Sequence, residues 1–585
     1  MDKDRVAEIL SEIGVLLELK GENPFKSRAY ANAARAIQTL EEPIEKLVAE
    51  NRLGEIKGVG EGLQEKITIL VQTGRLPYYE ELKASIPAGL VEMLSIPSLG
   101  PKKIKALHDR LGISTIEELE AACKAGKVAG LDGFGEKRQA KILEGIEYRR
   151  QYASRHLLSA ALEVAEPILA ELSARKDVIR CDVAGSVRRF KEMIGDVDFI
   201  VSSEDADAVI ECFVTRPGVM SVSAKGSTKA SVILSGGIQA DIRVVSHREY
   251  PFALAYFTGS KEHNIVMRQR AIQRGLRLNE YGLFRSQVET RDPSLCLPCT
   301  TESDIYAALE LDYIPPELRE DKGEFAAAEA HALPRLIELK DIRGSLHNHS
   351  NWSDGINSVA QIASIMSQRF EYWAITDHSK SSFQANGLDA KRLKQQGDEI
   401  RRVNESLAAK GVKFRLLGGI EVDILRDGKL DFDDEVLAGL DVVIASLHVP
   451  ASSEAENTRR LVKAAENPFV HIIGHPTGRL LLEREPYPVN IQAVIDACAE
   501  TGTWLELNCS PYRLDLDWRL WPQAKSKGVK CAIGPDAHRN EQADWLRLGA
   551  GVARKGWLTA DDVVNTLDLA SLRKALAAKR NRSKR

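Results

Sequence analysis

One pattern recurs through the C-terminal part of the chain: a short apolar run that ends in a residue able to bind a metal ion. The runs are WAITDH, LLGGIE, VVIASLH, HIIGHP and CAIGPDAH, and stretches of helical character separate them. A strand followed by a helix, with functional groups at the carboxyl end of each strand, is how a (β/α) barrel builds its site. The pattern therefore predicts such a barrel with a metal centre at one end.

The histidines of the chain are concentrated in this pattern. Six of the 12 histidines lie at the ends of these runs or in the opening pair His347 and His349. Residues at i and i+2 of a strand face the same side, as two ligands of one metal require. A single histidine is more often a structural or surface residue than a ligand, but independent histidines would not collect in this way. Mixed imidazole and carboxylate ligands favour manganese, zinc or iron over magnesium.

A second candidate metal site lies in the stretch GSVRRFKEMIGDVDFIV, which begins at Gly185. Asp196 and Asp198 stand in an apolar, β-branched run, so a strand would present both carboxylates on one face. The run GIQADIRVV alternates in the same way and supplies Asp241 as a third carboxylate. Hard oxygen donors on one face suit a pair of magnesium ions. A D-x-D motif by itself is more often a solvated strand edge, and that alternative stays open here.

The N-terminal region has the pattern of short amphipathic helices interrupted by glycine-rich turns. The segments IKGVGEGLQEKI, IPSLGPKKIKAL and LDGFGEKRQAKIL resemble helix-hairpin-helix motifs, although the second has Ser98 in place of the first glycine. The free amide groups and the dipole of a helix N-terminus can hold a DNA phosphate without reading bases. One such turn could be a simple helix C-cap, but three copies predict DNA binding. The glycines assigned to it are Gly58, Gly60, Gly100, Gly133 and Gly135.

Length and composition narrow the class of protein. A chain of 585 residues predicts several domains, and a net charge of -4 neither requires nor excludes a nucleic-acid partner. The eight cysteines lack framework spacing, and Cys296 and Cys299 have no second pair to complete a zinc site, which favours a reducing compartment. The start is acidic where a signal peptide is basic, and no apolar run has membrane-spanning length. We therefore expect a cytoplasmic protein with no membrane partner.

The motifs in the middle of the chain identify a family. GSVRR, GDVD, ADIRVV and YFTGSKEHN, in this order and spacing, resemble the family X DNA polymerases, the group that includes polymerase beta, over residues 1–317. The resemblance implies that Asp196, Asp198 and Asp241 are catalytic and hold two magnesium ions. It also implies a deoxynucleoside triphosphate site next to the template strand. The matching positions for the nucleotide are Gly185, Ser186, Arg189, Tyr256, Phe257, Gly259 and Asn264, and Arg268 matches a position near the template.

The N-terminal region also resembles the small lyase domain of that family. In that domain a lysine forms a Schiff base with the deoxyribose left at an abasic site. Lys66 stands at the matching position, and Lys26 and Tyr30 match residues around the 5'-phosphate. Phe25 and Gly62 depart from the family pattern, because polymerase beta has polar or basic residues there. A plain surface lysine remains the alternative, since a nucleophilic lysine needs a depressed pKa.

The C-terminal pattern resembles the PHP (polymerase and histidinol phosphatase) family over residues 340–570. The resemblance implies a distorted barrel that holds three metal ions, manganese or zinc, and that hydrolyses phosphoesters. Asp377 is expected to support the neighbouring His378 rather than to bind metal. The nine matching ligand positions are His347, His349, Asp354, His378, Glu421, His448, His475, Asp536 and His538.

The predicted architecture is multidomain. It combines all-α helix-hairpin-helix domains, an α+β nucleotidyltransferase palm and thumb, and a distorted (β/α)7 PHP barrel. The last segment carries seven basic residues and no acidic one, and we expect a solvated end there. The expected segments are 1–82 (helical, lyase-like), 83–149 (helix-hairpin-helix), 150–248 (palm), 249–317 (nucleotide-selecting subdomain), 318–342 (linker), 343–572 (PHP) and 573–585 (basic tail).

Together the two resemblances imply a bacterial repair enzyme that fills short gaps, as in base excision repair, and degrades 3'-ends as a 3'-5' exonuclease. Abasic-site cleavage, 3'-phosphate removal and deoxyribose phosphate lyase activity are further candidates. The expected partners are gapped or nicked DNA and deoxynucleoside triphosphates, and the protein is expected to be a monomer. Two alternatives stay open. A small-molecule phosphatase of the histidinol phosphate type fits the barrel alone, and a DNA-end binding scaffold would lack part of the catalytic set.

Overall fold

The computed structural model describes residues 3–38, 40, 42–96, 99–152, 154–287 and 293–582. These residues divide into two compact units, one made mainly of residues up to 152 and the other mainly of residues from 154 onward. Within the described residues, no helix combines the length and the apolar character that a membrane crossing requires. Short 3-10 helices occur at Leu53–Glu55, Met93–Ser95, Pro293–Leu295, Pro316–Leu318, Leu339–Asp341, Phe383–Ala385, Trp518–Leu520, Asn540–Trp545, Ala560–Asp562 and Val564–Thr566.

The described residues of the first unit form α-helices and turns. Apolar residues at helical spacing face inward, and Ile13, Leu70 and Leu107 are fully buried. One hydrophobic cluster extends from Val6 to Ile146, so the two predicted helical segments share a core. The helices are α1 (Lys3–Lys20), α2 (Pro24–Gln38), α3 (Ile44–Ala49), α4 (Glu61–Thr73), α5 (Pro77–Ala84), α6 (Ala88–Glu92), α7 (Pro101–Leu111), α8 (Ile116–Lys124) and α9 (Gly135–Tyr152).

The second unit begins with an α+β region built on a five-stranded sheet. Its elements are β1 (His156–Leu157), α10 (Leu158–Ser173), β2 (Val178–Val183), α11 (Gly185–Arg188), β3 (Met193–Ile194), β4 (Asp196–Ser203), α12 (Ala206–Thr215), β5 (Val219–Lys225), β6 (Lys229–Leu234) and β7 (Gln239–Val245). The strand order is β2-β4-β7-β6-β5, with β4 and β7 parallel and the other neighbours antiparallel. Val197, Phe199 and Val201 are buried on one face of β4, which leaves Asp196 and Asp198 on the other.

A mostly helical region follows the sheet. Ser260 accepts a hydrogen bond from the backbone N–H of His263 and so caps the helix that follows it, and Thr301 forms a capping box with Asp304. Phe252, Leu283 and other apolar residues form a small core here. The elements are α13 (Tyr250–Thr258), α14 (Lys261–Gln273), β8 (Leu276–Asn279), β9 (Gly282–Arg285), α15 (Glu302–Ala308) and α16 (Glu324–Glu329).

Seven parallel strands in sequential order make up the C-terminal part of this unit. The strands are β10 (Gly344–Ser345), β11 (Tyr372–Ile375), β12 (Arg415–Asp423), β13 (Val442–Ser446), β14 (Ile472–Ile473), β15 (Trp504–Asn508) and β16 (Cys531–Gly534). The helices are α17 (Val359–Met366), α18 (Ala390–Ala409), α19 (Asp434–Ala438), α20 (Glu454–Glu466), α21 (Ile491–Thr501), α22 (Trp521–Ser526), α23 (Leu546–Lys555) and α24 (Leu569–Arg582).

The sheet closes just beyond the carboxyl ends of its first and last strands. The backbone N–H of His349 donates to the carbonyl of Ala537 at 2.8 Å, and the N–H of Asp536 donates to the carbonyl of His347 at 3.1 Å. Closure therefore occurs at the residues predicted to bind metal. The helical unit, the α+β region on its five-stranded sheet and the seven-stranded parallel barrel together confirm the predicted fold class.

The basic C-terminal segment is structured up to Arg582. Leu572 and Leu576 of α24 pack under the barrel, and the Lys579 ammonium donates to the carbonyl of Ala465 at 3.0 Å. We expected this segment to be a solvated end. Its described part is instead an amphipathic helix that packs on the barrel. Residues 583–585 lie outside the described residues. The segment boundaries themselves stay a prediction.

Candidate active sites

Three carboxylates meet on the five-stranded sheet. Asp198 of β4 stands directly opposite Asp241 of β7 in the parallel register, and Asp196 lies one pleat away on the same face. Oxygen atoms of the three side chains lie within 4.8 Å of one another. The three residues predicted from the two separate motifs are therefore brought together by the pairing of two strands that are distant in sequence.

The charge on this cluster is costly without a cation. Burial, together with the neighbouring Asp196 and Asp241, raises the pKa of Asp198 to about 7. Burial and Asp241 also raise the pKa of Asp196. Divalent cations would relieve the repulsion between the carboxylates, so their arrangement fits a metal site.

Two polar residues orient the third carboxylate, and the sequence analysis did not single them out. The Ser231 hydroxyl on β6 donates to one oxygen of Asp241, and the Gln239 amide donates to the other at 2.9 Å. Ser231 faces Asp241 across the β6–β7 register. Cross-strand register is not visible in sequence, which is why Ser231 escaped notice.

Gly185 is placed where a larger residue could not fit. Its φ of +61° lies in the left-handed region, and a Cβ added there would come within 2.1 Å of an Asp198 carboxylate oxygen. This glycine lets the turn that carries Ser186 approach the three carboxylates. Ser186 is partly buried at that turn.

Arg189, the predicted triphosphate ligand, has a defined set of partners. Its Nε donates to the Glu320 carboxylate at 3.0 Å and its Nη1 donates to the carbonyl of Thr258 at 2.6 Å. The neighbouring Arg188 instead forms a two-bond ion pair with Glu302, at 3.0 and 2.6 Å. The two arginines of the GSVRR motif therefore point to different carboxylates.

The remaining predicted nucleotide residues lie around the turn between α13 and α14. The rings of Tyr256 and Phe257 meet edge to face at 5.1 Å, and the Asn264 amide donates to the carbonyl of Tyr256 at 2.6 Å. A Cβ on Gly259 would lie 2.7 Å from the Asn264 side-chain oxygen. Tyr256, Asn264 and Arg268 line one small cavity. The structure thus brings most of this set together, close to the carbonyl that holds Arg189.

The predicted lyase residues form a cluster in the first unit. The Lys66 ammonium lies 5.1 Å from the centre of the Tyr78 ring, and the Lys26 ammonium lies 5.8 Å from the same ring. Tyr30 stacks on Tyr78 with the rings 9° from parallel. The Lys66 Nζ also donates to the carbonyl of Gly62 at 3.0 Å. Tyr78, which the sequence analysis did not select, is the residue that joins the other three.

The helix-hairpin-helix glycines stand at exposed helix starts. Gly60 is the N-cap of α4 and Gly100 is the N-cap of α7, while Gly58, Gly133 and Gly135 have positive φ. A Cβ built on any of these five would meet no described residue within 4 Å. Among the described residues, the space before each helix is therefore open, as phosphate binding requires. Ser98 lies outside the described residues.

The nine side chains predicted to be metal ligands converge at the carboxyl end of the barrel. Glu421 lies at the centre, with its carboxylate 2.8 Å from His378 Nδ1, 3.2 Å from His448 Nε2 and 3.0 Å from His475 Nε2. The Asp536 carboxylate lies 3.0 Å from His349 Nε2. Three overlapping groups have ligand atoms within 4.8 Å of one another: His349, Asp354, His378 and His538; His347, His349 and Glu421; and His378, Glu421 and His448.

Several atoms of this cluster are buried without a hydrogen bond among the described residues: His347 Nε2, His349 Nδ1, His378 Nδ1 and Glu421 Oε2. His378 Nδ1 and Glu421 Oε2 lie 2.8 Å apart but do not have hydrogen-bond geometry. Unpaired buried polar atoms are rare in folded proteins, and here they point at one another. Burial, with His538 and His378, lowers the pKa of His349 to about 3, which favours the neutral imidazole that a metal ion binds. Burial opposes ionisation of Glu421, but His448, His378 and His347 outweigh it and hold its pKa well below the usual range. This donor set fits divalent metal ions.

Two acidic residues that the sequence analysis missed hold the ligand histidines. Glu506 accepts from His347 Nδ1 at 2.5 Å and from the backbone N–H of His475 at 2.6 Å, and Asp423 lies 2.7 Å from His448 Nδ1. Carboxylates in this position fix the tautomer and orientation of a ligand histidine. Glu506 lies in the run WLELN, which is β15, an apolar run that ends without a histidine. A carboxylate between apolar residues of a predicted strand was the sequence signal that could have revealed Glu506.

Asp377, which we expected to support His378, makes its hydrogen bonds to other residues, and a role beside His378 stays a prediction. It is fully buried and accepts from the hydroxyls of Ser350 and Ser353 and from the Gln396 amide. These bonds tie the end of β11 to the loop that carries Asp354. Backbone strain marks the same site, because the ligands His475 and Asp536 have φ of 24° and 53°.

A cavity of about 600 Å³ opens beside the metal-ligand cluster. Five of the predicted ligands line it, and its other lining residues include Phe383, Arg426 and Arg513. Phe383 is largely exposed, and two arginines offer positive charge beside the cluster. The space and charge suit a phosphate-containing group that reaches the cluster from solvent.

Comparison with family models supports the polymerase and DNA-binding parts of the sequence analysis. Residues 253–320 match the DNA polymerase beta thumb, residues 1–76 match a helix-hairpin-helix domain, and residues 90–147 match a SAM-like helix-hairpin-helix tandem. Known proteins match different lengths of the chain. DNA polymerase lambda of Rattus norvegicus is 24% identical over 341 residues, 54% of this chain and 56% of that protein. A protein of Thermoanaerobacter sp. (strain X514) named as a probable phosphatase is 33% identical over 178 residues, 28% of this chain and 70% of that protein.

One relative matches almost from end to end. The DNA polymerase/3'-5' exonuclease PolX of Bacillus subtilis (strain 168) is 40% identical over 574 residues, which is 97% of this chain and 98% of that protein. Identity of this extent covers the helical unit, the carboxylate cluster and the barrel together. The chain therefore belongs to the PolX family, the family X DNA polymerases that carry a PHP domain.

Proposed function

We propose that this protein is a DNA-directed DNA polymerase that fills short gaps during DNA repair and a 3'-5' exonuclease that trims 3'-ends. The observation that carries the proposal is the presence of two separate clusters of metal-ligand side chains in one compact unit. The first contains the carboxylates of Asp196, Asp198 and Asp241, and the second lies at the mouth of the barrel. The polymerase and exonuclease name of the Bacillus subtilis relative supports the same pair of activities.

The carboxylate cluster is proposed to catalyse nucleotide addition. Asp196, Asp198 and Asp241 would hold two magnesium ions, which would lower the pKa of the primer 3'-hydroxyl and neutralise the triphosphate. Ser231 and Gln239 keep the Asp241 carboxylate turned toward the other two. Ser186 and Arg189 would bind the triphosphate. Tyr256 and Phe257 would pack on the sugar of the nucleotide. Asn264 would lie near its base, and Arg268 near the template strand. An arginine suits this role because its planar fork binds two phosphate oxygens.

The barrel cluster is proposed to hydrolyse phosphodiesters. The nine predicted ligands around Glu421 would hold manganese or zinc ions, three in number, whose charge would stabilise the scissile phosphate and lower the pKa of an attacking water. His347 is held by Glu506, and His448 is held by Asp423, so both imidazoles are oriented before substrate arrives. Abasic-site cleavage and 3'-phosphate removal need the same chemistry and are further candidate activities of this centre.

DNA and deoxynucleoside triphosphates are the proposed substrates, with gapped or nicked duplex as the preferred DNA. The open helix starts at Gly58, Gly60, Gly100, Gly133 and Gly135 would hold backbone phosphates without selecting a sequence. The cluster around Lys66 would act on the deoxyribose phosphate at a 5'-end. A monomeric state and a cytoplasmic location stay predictions.

A small-molecule phosphatase is the main alternative, and the match to the Thermoanaerobacter protein favours it for the barrel alone. It leaves Asp196, Asp198 and Asp241 and the helix-hairpin-helix unit without a role. A DNA-binding scaffold would need one of the two clusters to be incomplete. Both clusters have their full predicted set of side chains within reach of one another.

One assay tests both activities. A gapped duplex with a labelled primer is incubated with magnesium or manganese, with and without deoxynucleoside triphosphates, so that extension and shortening are seen on the same gel. Asp198→Asn should abolish extension and spare shortening, and the matched surface variant Asp207→Asn should extend normally. Extension that persists in Asp198→Asn would show that the assigned polymerase centre is wrong.

The reverse pair of variants tests the barrel. His347→Ala together with His349→Ala should abolish shortening and leave extension, while the exposed His247→Ala should change neither. Equal loss of both activities in the double variant would contradict two separate centres. Hydrolysis of histidinol phosphate without any shortening of DNA would favour the phosphatase alternative.

A further inference from the structure

Lys555 is a fully buried lysine that joins the barrel to the polymerase part of the second unit. It is the last residue of α23, and its ammonium donates to the Glu320 carboxylate at 2.7 Å. It also donates to the backbone carbonyls of Arg189 at 3.0 Å and Glu317 at 3.3 Å. All three N–H groups are thus used, and the ammonium lies 4.5 Å from the centre of the Trp518 ring. Such complete pairing explains how a charged group is tolerated in the interior.

Glu320 is shared between Lys555 and Arg189. Its side chain is about nine-tenths buried, and one carboxylate oxygen receives both the Lys555 bond at 2.7 Å and the Arg189 Nε bond at 3.0 Å. Lys191 lies farther away, at 3.9 Å. One buried carboxylate is therefore held between a barrel cation and the arginine proposed to bind the triphosphate.

Sharing changes how firmly Glu320 holds Arg189. In a surrounding of low dielectric constant, a carboxylate with a single close cation binds it strongly, whereas a second cation reduces its attraction for the first. Without Lys555, the nearly buried Glu320 would depend on Arg189 for its closest charge partner. Turning the Arg189 side chain away from Glu320 toward a phosphate would then cost more free energy.

A second contact from the same helix holds the polymerase turn. Gly551, one helical turn before Lys555, packs against the ring of Phe190, and a Cβ there would lie 2.1 Å from ring carbons. Phe190 follows Arg189 and has a φ of +53°. On its other side α23 packs on the barrel, where Gly549 meets Ile533 and Cys509. The helix is therefore fixed between the barrel core and the turn that carries Arg189.

We infer that Lys555 of the PHP barrel is a positioning residue for nucleotide addition: by sharing Glu320 it leaves Arg189 free to bind the incoming triphosphate. This inference rests on the proposed function, in which Arg189 is a triphosphate ligand. It makes the exonuclease barrel part of the support of the polymerase site. Lys555 itself touches neither substrate nor metal ligand.

Steady-state extension of a gapped duplex by the full-length protein tests the inference with three variants: Lys555→Met, Glu320→Gln and the double variant. Lys555→Met should raise the KM for the nucleotide by ~10-fold and leave kcat within about twofold, since ground-state binding of the triphosphate is what is lost. Glu320→Gln should give a KM no higher than the wild type. In the double variant the KM should return to within about threefold of the wild type, because the competing charge is gone.

Matched variants separate this role from loosening of the interface. Arg554 lies next to Lys555 and pairs with Glu317 across the same interface, at 2.6 Å. Arg554→Gln should therefore leave the nucleotide KM unchanged. Gly551→Ala should raise the KM by displacing Phe190, and Phe190→Leu in the same chain should lower it again. If Lys555→Met folds poorly, Glu320→Gln decides the question, because it removes the shared negative charge directly and a raised KM would contradict the inference.

Several outcomes would overturn the inference. These are an unchanged KM in Lys555→Met, a double variant as impaired as Lys555→Met, an equal effect of Arg554→Gln, and a KM raised by Glu320→Gln. Parallel loss of extension and 3'-5' degradation in Lys555→Met, with no rescue in the double variant, would assign it a structural role only. Failure of the proposed function is distinguishable, because it would appear as extension that does not depend on Asp198.

Discussion

At the scale of single residues, the two centres differ in how their ligands are held. In the polymerase cluster, Gly185 allows the nucleotide turn to approach Asp198, and Ser231 and Gln239 hold Asp241. In the barrel, a second layer of carboxylates holds the histidines. Both arrangements hold oriented donor side chains close to one another, as a metal-dependent site requires.

Gly185→Ala should abolish nucleotide addition and preserve 3'-5' degradation. The added Cβ would strike the Asp198 carboxylate, and the φ of +61° adds backbone strain. Gly236→Ala is the matched control, because Gly236 has a φ of +85° and open space around it. Extension rates on a gapped duplex measure the effect. Equal activity of the two variants would show that contact with Asp198 does not matter.

Glu506→Gln should reduce 3'-5' degradation by roughly 10-fold to 100-fold, since loss of a carboxylate that orients a ligand histidine has effects of this size. Glu506 supports both His347 and the backbone of His475. Metal content after purification should fall in the same variant, and nucleotide addition should be unchanged. Glu500→Gln, at an exposed position on α21, is the control. Full metal content with full activity in Glu506→Gln would show that this carboxylate does not support the metal site.

At the scale of elements, strand pairing and helix ends place the functional groups. The parallel pair β4 and β7 joins the three carboxylates, and the carboxyl ends of the barrel strands collect the nine ligands. Helices α13, α14 and α15 gather around a buried charge network of Arg188, Glu302 and Arg319. That network joins the turn of the GSVRR motif to the helical region after the sheet.

The Glu302 network should make this region sensitive to acid. Burial opposes ionisation of Glu302, but Arg319 and Arg188 outweigh it and lower its pKa to about 2, from an ordinary value of 4.5. Because the folded-state pKa is depressed, the stabilisation is complete above pH 4.5 and is lost as the pH falls from 4.5 toward 2. The difference in pKa corresponds to about 3 kcal/mol of unfolding free energy.

Unfolding followed by denaturant between pH 6 and pH 3 measures this effect. The wild type should lose more stability over that interval than Glu302→Gln, which starts less stable because the buried Arg319 and the partly buried Arg188 lose their charge partner. Parallel pH profiles for the two proteins would contradict the assigned ion pair.

The cluster on α2, α4 and α5 should show lyase chemistry if Lys66 is its nucleophile. Borohydride reduction in the presence of a 5'-deoxyribose phosphate end should trap a covalent protein–DNA adduct, because the reagent reduces a Schiff base. Lys66→Ala should give no adduct, and Lys83→Ala, on a neighbouring helix, should give a normal one. Absence of an adduct with the wild type would contradict the lyase proposal.

At the scale of the whole molecule, the polymerase sheet and the barrel share one hydrophobic core. A single cluster of buried residues includes Phe199 and Ile210 of the sheet region together with Ile420 and Ile533 of the barrel. Buried polar contacts add to it, including the hydrogen bond from the Trp518 indole to Glu192 at 3.1 Å. The barrel therefore belongs structurally to the same unit as the carboxylate cluster.

Metal removal should separate the two activities. After treatment with a chelator, both extension and shortening should stop. Magnesium added back should restore extension, because three carboxylates prefer a hard ion, whereas the histidine-rich barrel should need manganese or zinc for shortening. The measurement is the same labelled gapped duplex with each ion in turn. Full shortening with magnesium alone would contradict the assignment of ions to the barrel.

The sequence by itself determined the local features of this protein. Alternation along β4 and β7 follows from apolar and charged residues at a period of two, and the barrel follows from short apolar runs separated by helices. Histidines and acids at the ends of those runs predicted the metal-ligand cluster, because strand ends of a parallel barrel meet at one rim. Such signals are local in the chain, so a single sequence displays them.

Only the tertiary structure decided which residues meet across long distances in the chain. Ser231 beside Asp241, Glu506 beside His347 and Tyr78 beside Lys66 depend on register and packing, which sequence spacing does not reveal. The basic C-terminal segment is a packed helix because Leu572 and Leu576 find an apolar surface under the barrel. Arg189 and Lys555 are 366 positions apart, yet they share one buried carboxylate. A buried charge needs partners from any part of the chain that packing brings near, and that requirement is met only in the folded molecule.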